Sequence, residues 1–99
     1  MAWIGVDLDG TLAIYPPAER GGIGEPLLPM VEKVRVLVLR GFEVRIFTAR
    51  QGQDDLIREW CRRNIGYDLA VTDRKDFACI AIYDDIAHKV ERNTGLCRE

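Results

Sequence analysis

Trp3-Ile4-Gly5-Val6-Asp7-Leu8-Asp9-Gly10-Thr11 is the stretch from which the rest of the chain is read. Its first four residues form an unbroken apolar run, as expected of a strand buried on both faces of a parallel sheet. Asp and Gly are poor strand formers, so the strand ends where the acids begin. In open α/β sheets, ligands bind in the crevice beyond the carboxyl ends of the strands. Two carboxylates at such an end, with Gly10 to turn the backbone sharply, mark a site. A bare Asp-x-Asp-Gly is more often a solvated turn; the apolar run directly before it gives this one its weight.

Size and charge narrow the classes. The chain has 99 residues, 47% hydrophobic and 30% charged, which fits a single domain over 1–99. A formal charge of -2 and a pI near 5.4 argue against bulk electrostatic binding of nucleic acid. No apolar stretch approaches the roughly 18 residues of a membrane span, and Asp7 interrupts the only N-terminal apolar run, so neither a membrane partner nor a signal peptide is expected. Cys61, Cys79 and Cys97 are odd in number and widely spaced, which fits free thiols in a reducing cytoplasm.

Beyond Thr11, residues Leu12 to Pro26 contain Pro16-Pro17, Gly21-Gly22 and Gly24. They read as a flexible loop of about fifteen residues beside the site, long for so small a domain. Leu27 to Arg40 is helical: Leu27, Val31, Val34, Leu37 and Val38 make one apolar stripe, Pro29 suits the first turn and Gly41 the stop. Phe42 to Phe47 alternates as a second strand ending at Thr48-Ala49-Arg50. A second helix follows over Gln53 to Asn64, with Asp54 and Asp55 early, Arg58, Arg62 and Arg63 late, and a buried stripe of Leu56, Ile57, Trp60 and Cys61. Asp68 to Val71 is a third strand and Thr72 to Asp76 a polar loop. Phe77 to Cys79 is read as a turn of helix, and Ile80 to Tyr83 as a fourth strand ended by Asp84-Asp85. Beyond Ile86 the pattern fits an edge strand or a helical turn equally, with a frayed tail over 96–99. Alternating strands and helices make a small Rossmann-like α/β domain, expected as three α/β/α layers around a mainly parallel sheet.

A parallel sheet brings these strand ends to one edge. Asp7, Asp9, Asp84 and Asp85 then converge with the Thr48 hydroxyl, and Arg74-Lys75 lies in the loop before the last strand. Two carboxylates 4 Å apart repel by about 4 kcal/mol at an effective dielectric near 20, so a cation is expected among them. A site of few carboxylates, completed by water and phosphate oxygens, suits Mg2+. Taken singly, each residue has a plainer role: Thr48 as the N-cap of the next helix, Lys75 as a solvated charge, Asp84-Asp85 as a turn.

The order Asp7-Leu8-Asp9-Gly10-Thr11-Leu12, Thr48, Lys75, Asp84-Asp85 resembles the motif series of the haloacid dehalogenase-like (HAD) superfamily and spans nearly the whole chain. The resemblance implies a Mg2+-dependent phosphatase. Asp7 would be the nucleophile and Asp9 the general acid and base. Thr48 and Lys75 would hold the phosphoryl oxygens, with Leu8, Gly10 and Ala49 completing the phosphate-binding set. The metal set would be Asp7, Asp9, Asp85 and Asp84, with Asp85 the direct ligand of the last pair, or the two reversed. Asp9 resembles the phosphatases and mutases of the superfamily. Neither interval between motifs holds a cap domain, so the site should be open, or covered by another subunit in a homo-oligomer. An open site disfavours a mutase, which must keep water from its phosphoenzyme. The expected substrate is a phosphorylated small molecule or an exposed phosphate on a larger one. A polynucleotide or nucleotide end phosphatase is the alternative. A phospho-receiver or idle phosphate-binding module is the reading from another class.

Overall fold

The computed structural model describes residues 2–97. Strand β1 (Trp3–Val6) stands at the centre of the sheet, followed by helix α1 (Leu28–Leu39), strand β2 (Glu43–Phe47), helix α2 (Asp54–Asn64), strand β3 (Ala70–Thr72) and strand β4 (Cys79–Tyr83). The strands lie in the order β3-β2-β1-β4 and every pairing is parallel. Each predicted element is present, with ends moved by one or two residues. The expected turn at 77–79 is narrower: Asp76 caps it, its carboxylate accepting from the Ala78 N–H and its carbonyl from the Cys79 N–H. Strand β4 begins at once.

The helices follow their stripes. In α1, Val31, Val34 and Leu37 are buried and Pro29 stands in the first turn, while Gly41 beyond the C-terminal end takes φ +89°. In α2, Ile57, Trp60 and Cys61 are buried. Leu56, expected in that stripe, is instead 44% exposed, because it falls one step outside the arc facing the sheet. Arg35 ties the two helices together by donating to the backbone carbonyls of Asn64 and Ile65.

The three-layer expectation is corrected. Val31, Val34, Leu37, Ile57, Trp60 and Cys61 share one core with Ile4, Val6, Val44 and Ile46, the residues of one sheet face. Both helices therefore cover that face, and the described domain has two layers. The reason is topological. The crossovers β1-α1-β2 and β2-α2-β3 step the same way across the sheet, and right-handed crossovers stepping the same way put their helices on the same side. A helix on the other face would need a crossover in the opposite direction. The connection to β4, which does step that way, is a loop without a helix.

That other face carries Trp3, Gly5, Phe47 and Ile82, which meet around the missing Cβ of Gly5. Trp3 is fully buried there: the Arg45 guanidinium lies 4.5 Å from its ring centroid, and its indole N–H donates to Asp76. In and just before β4, Ile80 is 57% exposed and Phe77 fully so.

Among the described residues, the stretch after β4 forms neither a strand nor a helix. An isolated antiparallel bridge joins Val90 to Cys97 around a turn in which Asn93 and Gly95 have positive φ. Leu96 and Cys97, expected to fray, belong to that hairpin; the last two residues of the predicted tail lie outside the described ones. No helix among the described residues is long and apolar enough to cross a membrane.

Candidate functional site at the carboxyl edge of the sheet

The turn after β1 is anchored from below. The Leu8 carbonyl accepts from the N–H groups of Thr11, Leu12 and Ala13, and the side chains of Leu8, Leu12 and Ala13 are fully buried. With Leu8 inward, Asp7 and Asp9 on either side of it reach outward. Both line an open cleft of about 980 Å³ together with Thr48, Ala49, Arg50 and Asp85. Gly10 turns at φ +86°, and a Cβ there would stand 2.5 Å from the Asp85 carboxylate. The two acidic motifs, 74 positions apart, thus touch; Thr11 donates to Asp85 at 3.4 Å.

Asp7, Asp84 and Asp85 each offer a carboxylate oxygen within 4.8 Å of the others. Burial pushes the Asp7 carboxyl up to about 7; its hydrogen bond with Asp85 and the charge of Asp84 push the same way. Three hard oxygen donors, one of which burial disposes to hold a proton near neutral pH, fit a divalent cation, which would replace that proton. Asp84 also accepts from the Ile86 N–H, and only Asp85 of the pair lines the cleft. Asp9 stands apart from this triad.

The partner of Asp9 is Arg50, which the sequence alone marks only as the end of a strand. Its Nε and Nη2 donate to the two Asp9 oxygens at 2.8 and 2.7 Å in a fork. Arg50 also donates to Gln53 and to the Gly22 carbonyl. The two side chains are 16% and 21% exposed, and the Asp9 contact raises the Arg50 pKa further. The one signal in the sequence was position: Arg50 follows Thr48 by two at a strand end.

Thr48 is buried, and its hydroxyl accepts from the Arg50 N–H rather than capping α2; the residue preceding that helix, Gln53, makes no side-chain cap. Leu8 is buried, so only its backbone can face a phosphate. Lys75 is exposed and does not line the cleft, and the neighbouring Asp76 is tied to Trp3 at the opposite, amino end of β1. The structure thus brings Asp7, Asp9, Gly10, Thr48, Ala49, Asp84 and Asp85 together and leaves Lys75 outside. Arg74 pairs with Asp73 and is 90% exposed, while Arg58 and Arg62 pair with Asp68. They build no patch at the cleft.

The loop over 12–26 is closed at its neck. Ile14 donates to Glu25, Leu27 donates to Leu12, and Ala13 bridges Pro26. The buried Trp60 indole holds the Gly24 carbonyl. Only the tip is free of the neck, and it lines the cleft with Tyr15, Pro16, Pro17 and Arg20.

Comparison with protein-family models, with curated proteins and with solved structures returns no match. The site rests on its own geometry.

Proposed function

We propose that the chain is a Mg2+-dependent phosphatase of the HAD type, hydrolysing a phosphomonoester through an aspartyl-phosphate on Asp7. The observation that carries this reading is the meeting of Asp7 with Asp84 and Asp85 at one strand edge, beside a cleft that Asp9, Thr48 and Arg50 also line. A solvated turn needs no partner from the far end of the chain.

Asp7, Asp84 and Asp85 are the residues that would hold Mg2+, with the Asp9 backbone beside them. When bound, the ion neutralises charge on the phosphoryl oxygens and keeps Asp7 ionised at neutral pH. An Asp7 carboxylate oxygen then attacks phosphorus in line; the bond to phosphorus forms as the ester P–O bond breaks. Asp9, the general acid of this step, delivers a proton to the leaving oxygen. Arg50 orients the Asp9 carboxyl and must yield part of its fork as that proton is delivered. In the second half, Asp9 takes a proton from water as the water oxygen attacks phosphorus, and the bond to Asp7 breaks, restoring the carboxylate. In this reading the Thr48 hydroxyl and the Ala49 N–H would cradle the phosphoryl oxygens, while the Gly10 N–H is already spent on the Ala13 carbonyl. Arg50 takes a place in the cleft that the resemblance gave to Lys75.

The test is a screen of phosphomonoesters with Mg2+ and with EDTA, using wild type and Asp7→Asn. Turnover that needs Mg2+ and falls at least about a thousandfold in Asp7→Asn is expected, as loss of a covalent nucleophile costs several powers of ten. Activity surviving Asp7→Asn removes the covalent route. A melting temperature unmoved by millimolar Mg2+ removes the metal site.

A further inference from the structure

The charges lining the cleft do not all belong to phosphoryl transfer. Five ionisable groups of Asp or Arg type line it: Asp7, Asp9, Asp85, Arg20 and Arg50. Asp7 and Asp85 belong to the acidic triad, and Asp9 and Arg50 occupy one another in a two-pronged pair. Arg20 is left over. Among the described residues it has no ion pair or hydrogen bond. Its neighbour Glu19 lines a different depression, between the loop and α2, and so does not neutralise it from within the cleft.

Arg20 is exposed, and its loop sets it at the wall of the cleft. It sits at the tip of a loop whose neck is zipped, next to Gly21 at φ +82° and two residues from Gly22, whose carbonyl Arg50 grips. Tyr15, Pro16 and Pro17 give the same wall an apolar surface. The cleft, at about 980 Å³, has the volume of a site for a whole organic ligand rather than for one phosphoryl group. A guanidinium with its donors unclaimed, beside apolar surface in such a cleft, is a fork for phosphate oxygens.

We propose that Arg20 is a specificity-determining residue that binds a second phosphate, carried by the organic part of the phosphomonoester. This rests on the phosphatase reading for turnover, although the binding itself does not. The second phosphate can belong to a small bisphosphate or to the phosphodiester next to a terminal phosphate on a nucleic acid; the chemistry at Arg20 is the same.

Three matched pairs separate these sources: fructose 1,6-bisphosphate against fructose 6-phosphate, adenosine 3',5'-bisphosphate against adenosine 3'-monophosphate, and a 3'-phosphorylated dinucleotide against the same mononucleotide. For each pair, the ratio of kcat/KM is measured in wild type, Arg20→Gln and Arg20→Lys. At least one pair is expected to show a preference for the doubly charged member that falls about tenfold in Arg20→Gln, the size of one lost charge-assisted contact, and recovers in part in Arg20→Lys. The same compounds are titrated calorimetrically into Asp7→Asn with and without Arg20→Gln. A preference in Kd that Arg20→Gln abolishes, without hydrolysis of any compound by wild type, keeps the anion site and removes the phosphatase reading. Hydrolysis with ratios indifferent to Arg20→Gln, or an equal loss on both members of each pair, overturns the role of Arg20 and leaves the phosphatase standing. No preference in any pair, by rate or by Kd, also overturns it.

Discussion

Asp9 and Arg50 make the tightest charged contact at the site, and its worth follows from its burial. The pair is neither exposed, where such contacts contribute about 0–1 kcal/mol, nor fully enclosed. Arg50→Ala removes the fork to Asp9 and the contacts to Gln53 and Gly22, and should cost about 1–3 kcal/mol in urea unfolding. Arg50→Lys should recover less than half, because an ammonium cannot serve the fork. Full recovery by lysine would mean that charge alone matters there. Asp7 makes the opposite case, a carboxyl whose ionisation the fold resists. Its pKa is near 7 in the fold against 3.8 for an ordinary Asp side chain. Between those values the unfolded chain releases a proton that the folded one keeps, so the contribution of protonated Asp7 is intact below 3.8 and lost as pH rises to about 7. In EDTA, wild type should therefore lose stability relative to Asp7→Asn across that window. Parallel pH profiles would mean that Asp7 is less buried than the structure makes it.

Among the elements, the 12–26 loop departs furthest from what its composition announces. Prolines, glycines and few apolar residues describe a long connector, and its nearness to the site followed from its place after Asp9-Gly10. Its closed neck was not legible, because those bonds are backbone to backbone and any side chains could flank them. One glycine there has a strict reason: a Cβ on Gly24 would come 2.0 Å from the Ile14 carbonyl oxygen, and backbone cannot step aside as a side-chain end can. Gly24→Ala should force the neck open, costing about 1–3 kcal/mol, and limited proteolysis should then cut between 15 and 22 several times faster. An unchanged digestion pattern would mean that the neck does not hold the tip. The helices were legible for the reason the loop was not. Their stripes at 3.6-residue spacing record which side meets the sheet, and only a boundary position such as Leu56 escaped.

At the level of the whole molecule, the two faces of the sheet differ in what they can lose. Ile46, at 0% exposure, belongs to the core that both helices share, and Ile46→Ala should cost about 2–5 kcal/mol. Ile80, at the irregularity in the β1–β4 register, is 57% exposed, and Ile80→Lys should change stability by no more than about 0.5 kcal/mol. Similar losses in chemical denaturation would show Ile80 to be covered after all. This asymmetry could not be read from hydrophobicity. β1 and β4 are apolar throughout, which fits burial on both faces, and the alternation of strands and helices suggests three layers. Only strand order, with both crossovers stepping the same way, left one face without a helix.

By itself the sequence determined the strands, the helices and the acids at the strand ends, since residue periodicity and the aversion of Asp and Gly to strands act over a few neighbouring positions. Tertiary structure alone decided that Arg50 rather than Lys75 lines the cleft and that both helices share one side. It also decided that Arg20 faces the cleft without a carboxylate. These outcomes depend on distances between residues far apart along the chain, and no local pattern encodes them.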